Sequence, residues 1–142
     1  MIPKFRVFSR VYWFLGAALV LGTAVGASSA HAQVATVLSQ PMPVLPAGDE
    51  TVARIMKIRL EGGKASSWHM HPYPIYVFVV RGQAGLEFRG QVRQEFSAGQ
   101  GWHEPARAVN RVVNVDPSEA LELVMFQVSE AKAPFTQQAP AE

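Results

Sequence analysis

His69 and His71 stand two residues apart in the run from Gly63 to Ile75 (GKASSWHMHPYPI), so on an extended strand both imidazoles leave the same face. Two convergent imidazoles suit a divalent transition metal: Fe, Mn, Ni, Cu or Zn. The bare His-x-His tripeptide equally suits two half-exposed histidines on a loop edge, and by itself it leaves both readings open. Trp68, Tyr73, Tyr76 and Trp102 flank the polar centre, where aromatics either line a small-molecule pocket or fill plain core. Pro72 and Pro74 bracket Tyr73 and stiffen the approach. The chain has no cysteine, which removes disulfide frameworks, thiol nucleophiles and thiolate-rich zinc sites together. It also shows no paired nucleophile and base, no phosphate-binding loop and no dinucleotide fingerprint. Any metal must be held by histidine, carboxylate or amide oxygen.

The elements that would carry these residues read as strands. β-branched and aromatic residues alternate with polar ones over Thr51 to Leu60, Val92 to Phe96 and Ala108 to Val115, with Gly and Pro punctuating at short intervals. Ile75 to Arg81 (IYVFVVR) is nearly continuous apolar, the pattern of a strand covered on both faces by the other sheet or by a second copy of the chain, which would make a homodimer. Glu119 to Val128 (EALELVMFQV) could open as a helix capped by Ser118, but Val124 to Val128 is β-rich and a strand is expected. Seven or eight short strands with no helical periodicity imply an all-β sandwich or barrel.

The chain of 142 residues is 49% hydrophobic and 17% charged, enough for one globular domain. Lys4, Arg6 and Arg10 precede an apolar run from Val11 to about Gly26, and Ala30-His31-Ala32 follows it. This pattern reads as a cleavable signal peptide over residues 1–32, with an uncleaved membrane anchor as the alternative. A periplasmic or secreted mature protein, free of the membrane after cleavage, is expected. The formal charge of +2 belongs to that leader, because beyond residue 32 ten Lys and Arg face eleven Asp and Glu. No basic stripe remains to support nucleic-acid binding. Residues 33–49, with Pro41, Pro43 and Pro46, read as an extended arm, residues 50–130 as the barrel, and residues 131–142 as a disordered tail.

The segment around the two histidines resembles the first motif of the cupins, G-x5-H-x-H-x3-E-x6-G. Gly63, His69, His71 and Gly82 fall at the required spacing, while Ile75 takes the glutamate's place. Gly99 to Asn114 is similar to the second motif, G-x5-P-x-G-x2-H-x3-N. Gly99, Pro105 and Asn114 match, Arg107 stands where glycine is usual, and Asn110 stands where the fourth ligand, a histidine, is usual. The resemblance covers about residues 50–128. It implies a single-domain jelly-roll β-barrel with a metal inside, bound by three histidines and one glutamate, of which only His69 and His71 carry over as ligands.

Two residues could complete the set. Asn110 offers an amide carbonyl, a neutral hard donor better matched to calcium or magnesium than to an imidazole site. Glu104 shares strand parity with Trp102, and in cupins of this pattern that parity faces inward, so it could join His69 and His71 in a two-histidine, one-carboxylate centre. Alternatively Glu104 lies at the barrel mouth, bonded to Arg107 or Arg111 in a structural role. His103 should face the opposite side, at the surface or rim. Three function classes stay open: a small metal-dependent oxygenase, isomerase or lyase with Glu104 or Tyr76 as proton carrier, a non-catalytic binding module for a small molecule, or a structural barrel.

Overall fold

A computed structural model describes residues 34–42, 46 and 50–141. The signal-peptide reading falls on residues outside this range, as do residues 33, 43–45 and 47–49 of the expected arm. Among the described residues there is no helix. In the described residues nine strands form two antiparallel sheets, as the alternation of residue types anticipates. They are β1 (Thr51–Leu60), β2 (His69–Met70), β3 (Ile75–Arg81), β4 (Gln83–Phe88), β5 (Gln94–Ser97), β6 (Gly101–Glu104), β7 (Asn110–Asn114), β8 (Leu121–Glu130) and β9 (Gln137–Gln138).

One sheet has the order β1-β8-β3-β6 and the other β5-β4-β7-β2-β9. Their inner faces meet in a single core, in which Ile75, Val77, Val79, Leu121, Leu123, Met125 and Trp102 from the first sheet pack on Ala84, Leu86 and Val112 from the second. Strand parity puts these residues inside, since successive side chains alternate faces. The segment after Asp116-Pro117 is strand rather than helix. The Asp116 carboxylate accepts from the Ser118 and Glu119 amides and from the Ser118 hydroxyl, a turn that consumes the capping groups before β8 begins. Those donors hold the Asp116 carboxyl below its ordinary range.

Two of the motif positions have visible backbone reasons. Gly82, between β3 and β4, has φ of +89°, and a Cβ there would lie 2.9 Å from the Ala120 carbonyl oxygen. Arg107, where glycine is usual, also adopts a positive φ of 62°, at a cost of about 1 kcal/mol relative to glycine. Its amide donates to the His71 carbonyl at 2.7 Å, which ties that turn to the histidine segment.

Two expectations are corrected. The other sheet does not cover the outer face of β3, where Phe78 and Val80 are exposed beside Phe126 of β8 and Ile55 of β1. The C-terminal stretch, expected to be disordered, folds back on the barrel instead. β9 pairs with β2, and Phe135 packs against the core. A tail rich in Ala, Pro and Gln joins the fold because one aromatic finds an apolar seat and the edge of β2 offers unpaired backbone groups.

Asn114 is buried at the end of β7 and joins three elements. Its Nδ2 donates to the Leu60 carbonyl (3.1 Å) and the Glu119 carbonyl (2.7 Å), and its Oδ1 accepts from the Asp116 amide (3.1 Å). Replacing it by alanine leaves these groups without partners, and Asn114→Ala is expected to lower unfolding free energy by about 2–3 kcal/mol in a denaturant titration.

Candidate metal centre

His69 lies on β2 and His71 one residue beyond that short strand, and both imidazoles turn inward as their spacing anticipates. Each ring is oriented by a backbone carbonyl. His69 Nδ1 donates to the Ser67 oxygen at 2.8 Å, and His71 Nδ1 donates to the Phe135 oxygen at 2.7 Å. Committing Nδ1–H to a carbonyl leaves Nε2 as the lone-pair nitrogen of a neutral imidazole. The two Nε2 atoms are 3.1 Å apart, and His71 Nε2 lies 3.2 Å from Oε2 of Glu104. Three electron-rich atoms thus converge where His71 and Glu104 are each only 1% exposed. A shared proton or a cation has to sit among them, because lone pairs and a carboxylate at these separations repel.

The fit to a metal ion can be judged from this donor set. Ligands bound about 2.1 Å from an ion at right angles to each other lie about 3.0 Å apart, close to both observed separations. All three donor atoms fall within 4.8 Å of one another. Two neutral nitrogens and one carboxylate form a set that suits a divalent transition metal and leaves coordination positions open. Among the described residues this is the only grouping of three such side chains.

Glu104 reaches the site from β6 rather than from β3, where the motif's glutamate would stand, and the sheet register explains how. Ile75, which occupies the glutamate position of the motif, is the direct cross-strand partner of Glu104 on β6. The carboxylate missing from β3 is therefore supplied at the same level of the barrel by the neighbouring strand, since paired residues of an antiparallel ladder project side by side. The inward parity shared by Trp102 and Glu104 is observed. The alternative placement at the mouth beside Arg107 or Arg111 is not. The partners of Glu104 are Trp102, whose Nε1–H donates to Oε1 at 2.8 Å, and Asn110, whose Nδ2 donates to Oε2 at 3.2 Å.

Asn110 is the cross-strand partner of His69 on β7, so the position where a fourth ligand is usual also lies beside the site. It presents its NH2 to the carboxylate and acts there as a donor that steadies Glu104, while its buried Oδ1 has no protein partner.

The cavity these groups face has a volume of about 190 Å³. Ile58, Leu60, Val112, Leu123, Met125 and Phe135 make it largely apolar, with Ser66, Ser67 and Thr136 as further polar lining. None of the four aromatics singled out from the sequence lines it. Trp102 stands behind Glu104 in the core, with its ring 4.8 Å from that of Phe96. Tyr76 is on the outer face of β3, where its ring lies 5.3 Å from that of His103, so it is too remote to carry protons for the site. Tyr73 lies outside the cavity, and partial burial together with a hydrogen bond to Glu130 raises its phenol above the ordinary range. Trp68 is covered from outside by Arg111 at 4.7 Å and Arg89 at 5.7 Å. Phe135 and Thr136 were the residues missed. Their signal was a lone aromatic between Pro134 and Pro140 in a tail otherwise without large apolar residues.

The model of the cupin domain family matches residues 56–126. Solved structures share the fold at low identity. A cupin-like protein from Thermotoga maritima is 19% identical with a TM-score of 0.55, over 63% of this chain and 65% of that one. A cupin 2 domain-containing protein from Halorhodospira halophila is 15% identical with a TM-score of 0.56, over 67% and 63%. The polyketide cyclase RemF from Streptomyces resistomycificus is 15% identical with a TM-score of 0.51, over 69% and 77%. No curated protein matches in sequence.

Arg111 is held over Trp68 by Glu87, which accepts from Arg111 Nε at 2.6 Å and from Arg93 Nε at 2.7 Å. Hydrogen bonds from these two guanidiniums pull the Glu87 carboxyl below its ordinary range. A depressed carboxyl adds stability above its unfolded pKa and loses it as pH falls through the folded value. Glu87→Gln is therefore expected to destabilise the protein by about 1 kcal/mol at pH 7, with the difference from the parent vanishing in strong acid. Thermal unfolding followed from neutral pH down to the acid limit checks this.

Proposed function

This chain belongs to the cupin family, and on that premise we propose that it is an exported metal-binding cupin in which His69, His71 and Glu104 hold a divalent transition metal and act on a small organic molecule. The observation that carries the reading is the pair of Nδ1-anchored imidazoles whose Nε2 atoms converge with a buried carboxylate. Held by these residues, a divalent ion would supply Lewis acidity or a centre for dioxygen, as oxygenase or isomerase chemistry requires.

The chain's own residues set the rest. Trp102 and Asn110 fix the carboxylate by donating to its two oxygens, so little reorientation remains when a cation enters. Ile58, Leu60, Val112, Leu123 and Met125 exclude water and leave room only for a small ligand. Two neutral imidazoles and one carboxylate would leave a divalent ion with one net positive charge, and among the described residues no Lys or Arg lines the cavity. This would favour a small anion with an apolar carbon skeleton suited to the wall.

A second reading draws on the same bonds. Both oxygens of Glu104 already have donors without any ion, so the histidine and carboxylate network can hold together as core in a non-catalytic binding module. For a homodimer, the support is the apolar outer face, where Ile55 is 74% exposed near Phe78, Val80 and Phe126. A monomeric mass in solution would remove that part of the proposal.

Elemental mass spectrometry on protein purified without a histidine tag separates the two site readings. Near-stoichiometric metal in the parent, lost in a His69→Ala/His71→Ala variant and strongly reduced in Glu104→Ala, is the expected result. A folded parent that takes up no Fe, Mn, Ni, Cu or Zn on incubation would leave the binding module.

A further inference from the structure

We propose that the C-terminal segment, residues 135–138, is a strap that closes one wall of the cavity and sets the metal-binding tautomer of His71, so that strap closure and metal occupancy are linked. The proposal rests on the metal reading of the site and extends it to a part of the chain outside the family motifs.

The two histidines are anchored differently. The carbonyl that orients His69 belongs to Ser67, two residues away, and is fixed by the local chain. The carbonyl that orients His71 belongs to Phe135, 64 residues away, and is present only when the tail is folded back. With the tail displaced, the buried imidazole of His71 loses its acceptor, and nothing local holds the proton on Nδ1 rather than Nε2. A proton on Nε2 occupies the lone pair that a metal needs.

The same segment shapes the cavity. Phe135 and Thr136 line it, and the Phe135 ring lies 4.8 Å from that of His71 at 54°. Its anchorage is light. β9 has two residues, both exposed, pairing with His69 and Met70, the Ala139 amide donates to the Trp68 carbonyl at 3.4 Å, and Arg89 Nη1 donates to the Pro140 carbonyl at 3.1 Å from the surface. Closing so short a segment gains one buried aromatic and a few hydrogen bonds, partly offset by the entropy of ordering it. Pro134 and Pro140 reduce that entropy by restricting the backbone on either side.

Such a strap is balanced finely enough for one contact to bias it. A cation on Nε2 draws electron density from the imidazole and makes its Nδ1–H a stronger donor to Phe135 O. Metal therefore tightens the strap. By reciprocity of coupling, the closed strap tightens metal binding by the same factor. Outer hydrogen-bond partners of ligand histidines are worth about 10–100-fold in metal affinity.

The test titrates Co(II), followed by its d–d absorption, into the full chain, a chain ending at Lys132, and Phe135→Leu, which keeps both the carbonyl and an apolar side chain. Hydrogen exchange over residues 134–141 is measured in parallel with and without Co(II). The expected result is an affinity loss of about 10–100-fold on truncation, near-parent affinity in Phe135→Leu, and slower exchange in the tail when Co(II) binds. Equal affinity with and without the tail, or bound Co(II) with tail exchange unchanged, would overturn the strap while leaving the metal centre standing. A full chain that binds no Co(II) would instead overturn the metal reading and the strap with it. If truncation unfolds the barrel, the exchange comparison on the full chain decides alone, with His69→Ala/His71→Ala expected to abolish the Co(II) effect.

Discussion

The centre of this protein is organised by where two imidazole protons go. Each histidine spends its Nδ1–H on a backbone carbonyl, which turns both Nε2 lone pairs toward one another and toward a carboxylate that is almost wholly buried. That arrangement suits a positive charge, a shared proton or a cation, among the three groups, and the low polarity of the surrounding wall strengthens the interaction beyond what it would be in water. The short strand β2, the turn held by Arg107 and the folded-back tail all serve to keep those two protons where they are.

The carboxylate shows how a site can keep its composition while losing its motif. Ile75 fills the usual position with an aliphatic side chain, and Glu104 restores the charge from the paired position across the ladder. The exchange suits the barrel: Ile75, Val77 and Val79 make the inner face of β3 apolar, and the acid gains two neutral donors, Trp102 and Asn110, that β6 and β7 bring to it. Those donors offset part of the cost of burying a carboxylate, which unpaired would amount to several kcal/mol. They also account for Asn110, whose amide braces the acid from the position where a fourth ligand is usual.

Much of this architecture was legible beforehand. The bounds of β1 and β3 follow from alternation and turn residues, and the inward parity of Trp102 and Glu104 follows from the two-residue period of a strand. The aromatics were harder. Trp68, Tyr73 and Tyr76 are near His69 and His71 in sequence, yet none lines the cavity, because proximity along a strand does not choose the face. Phe135 was harder for the opposite reason: its role depends on meeting His71, 64 positions away, and the tail around it carries no periodicity.

The division between what the chain dictates and what the fold decides is therefore one of range. Local steric preference, the alternation of faces and the placement of glycine and proline are written within a few residues, and they determined the strands, the turns and the shared face of His69 and His71. The pairing of Ile75 with Glu104, the pairing of Asn110 with His69, and the return of Phe135 to orient His71 were decided by register between distant segments. Register is settled by the burial of a whole inner face at once, and no short stretch of sequence contains that information.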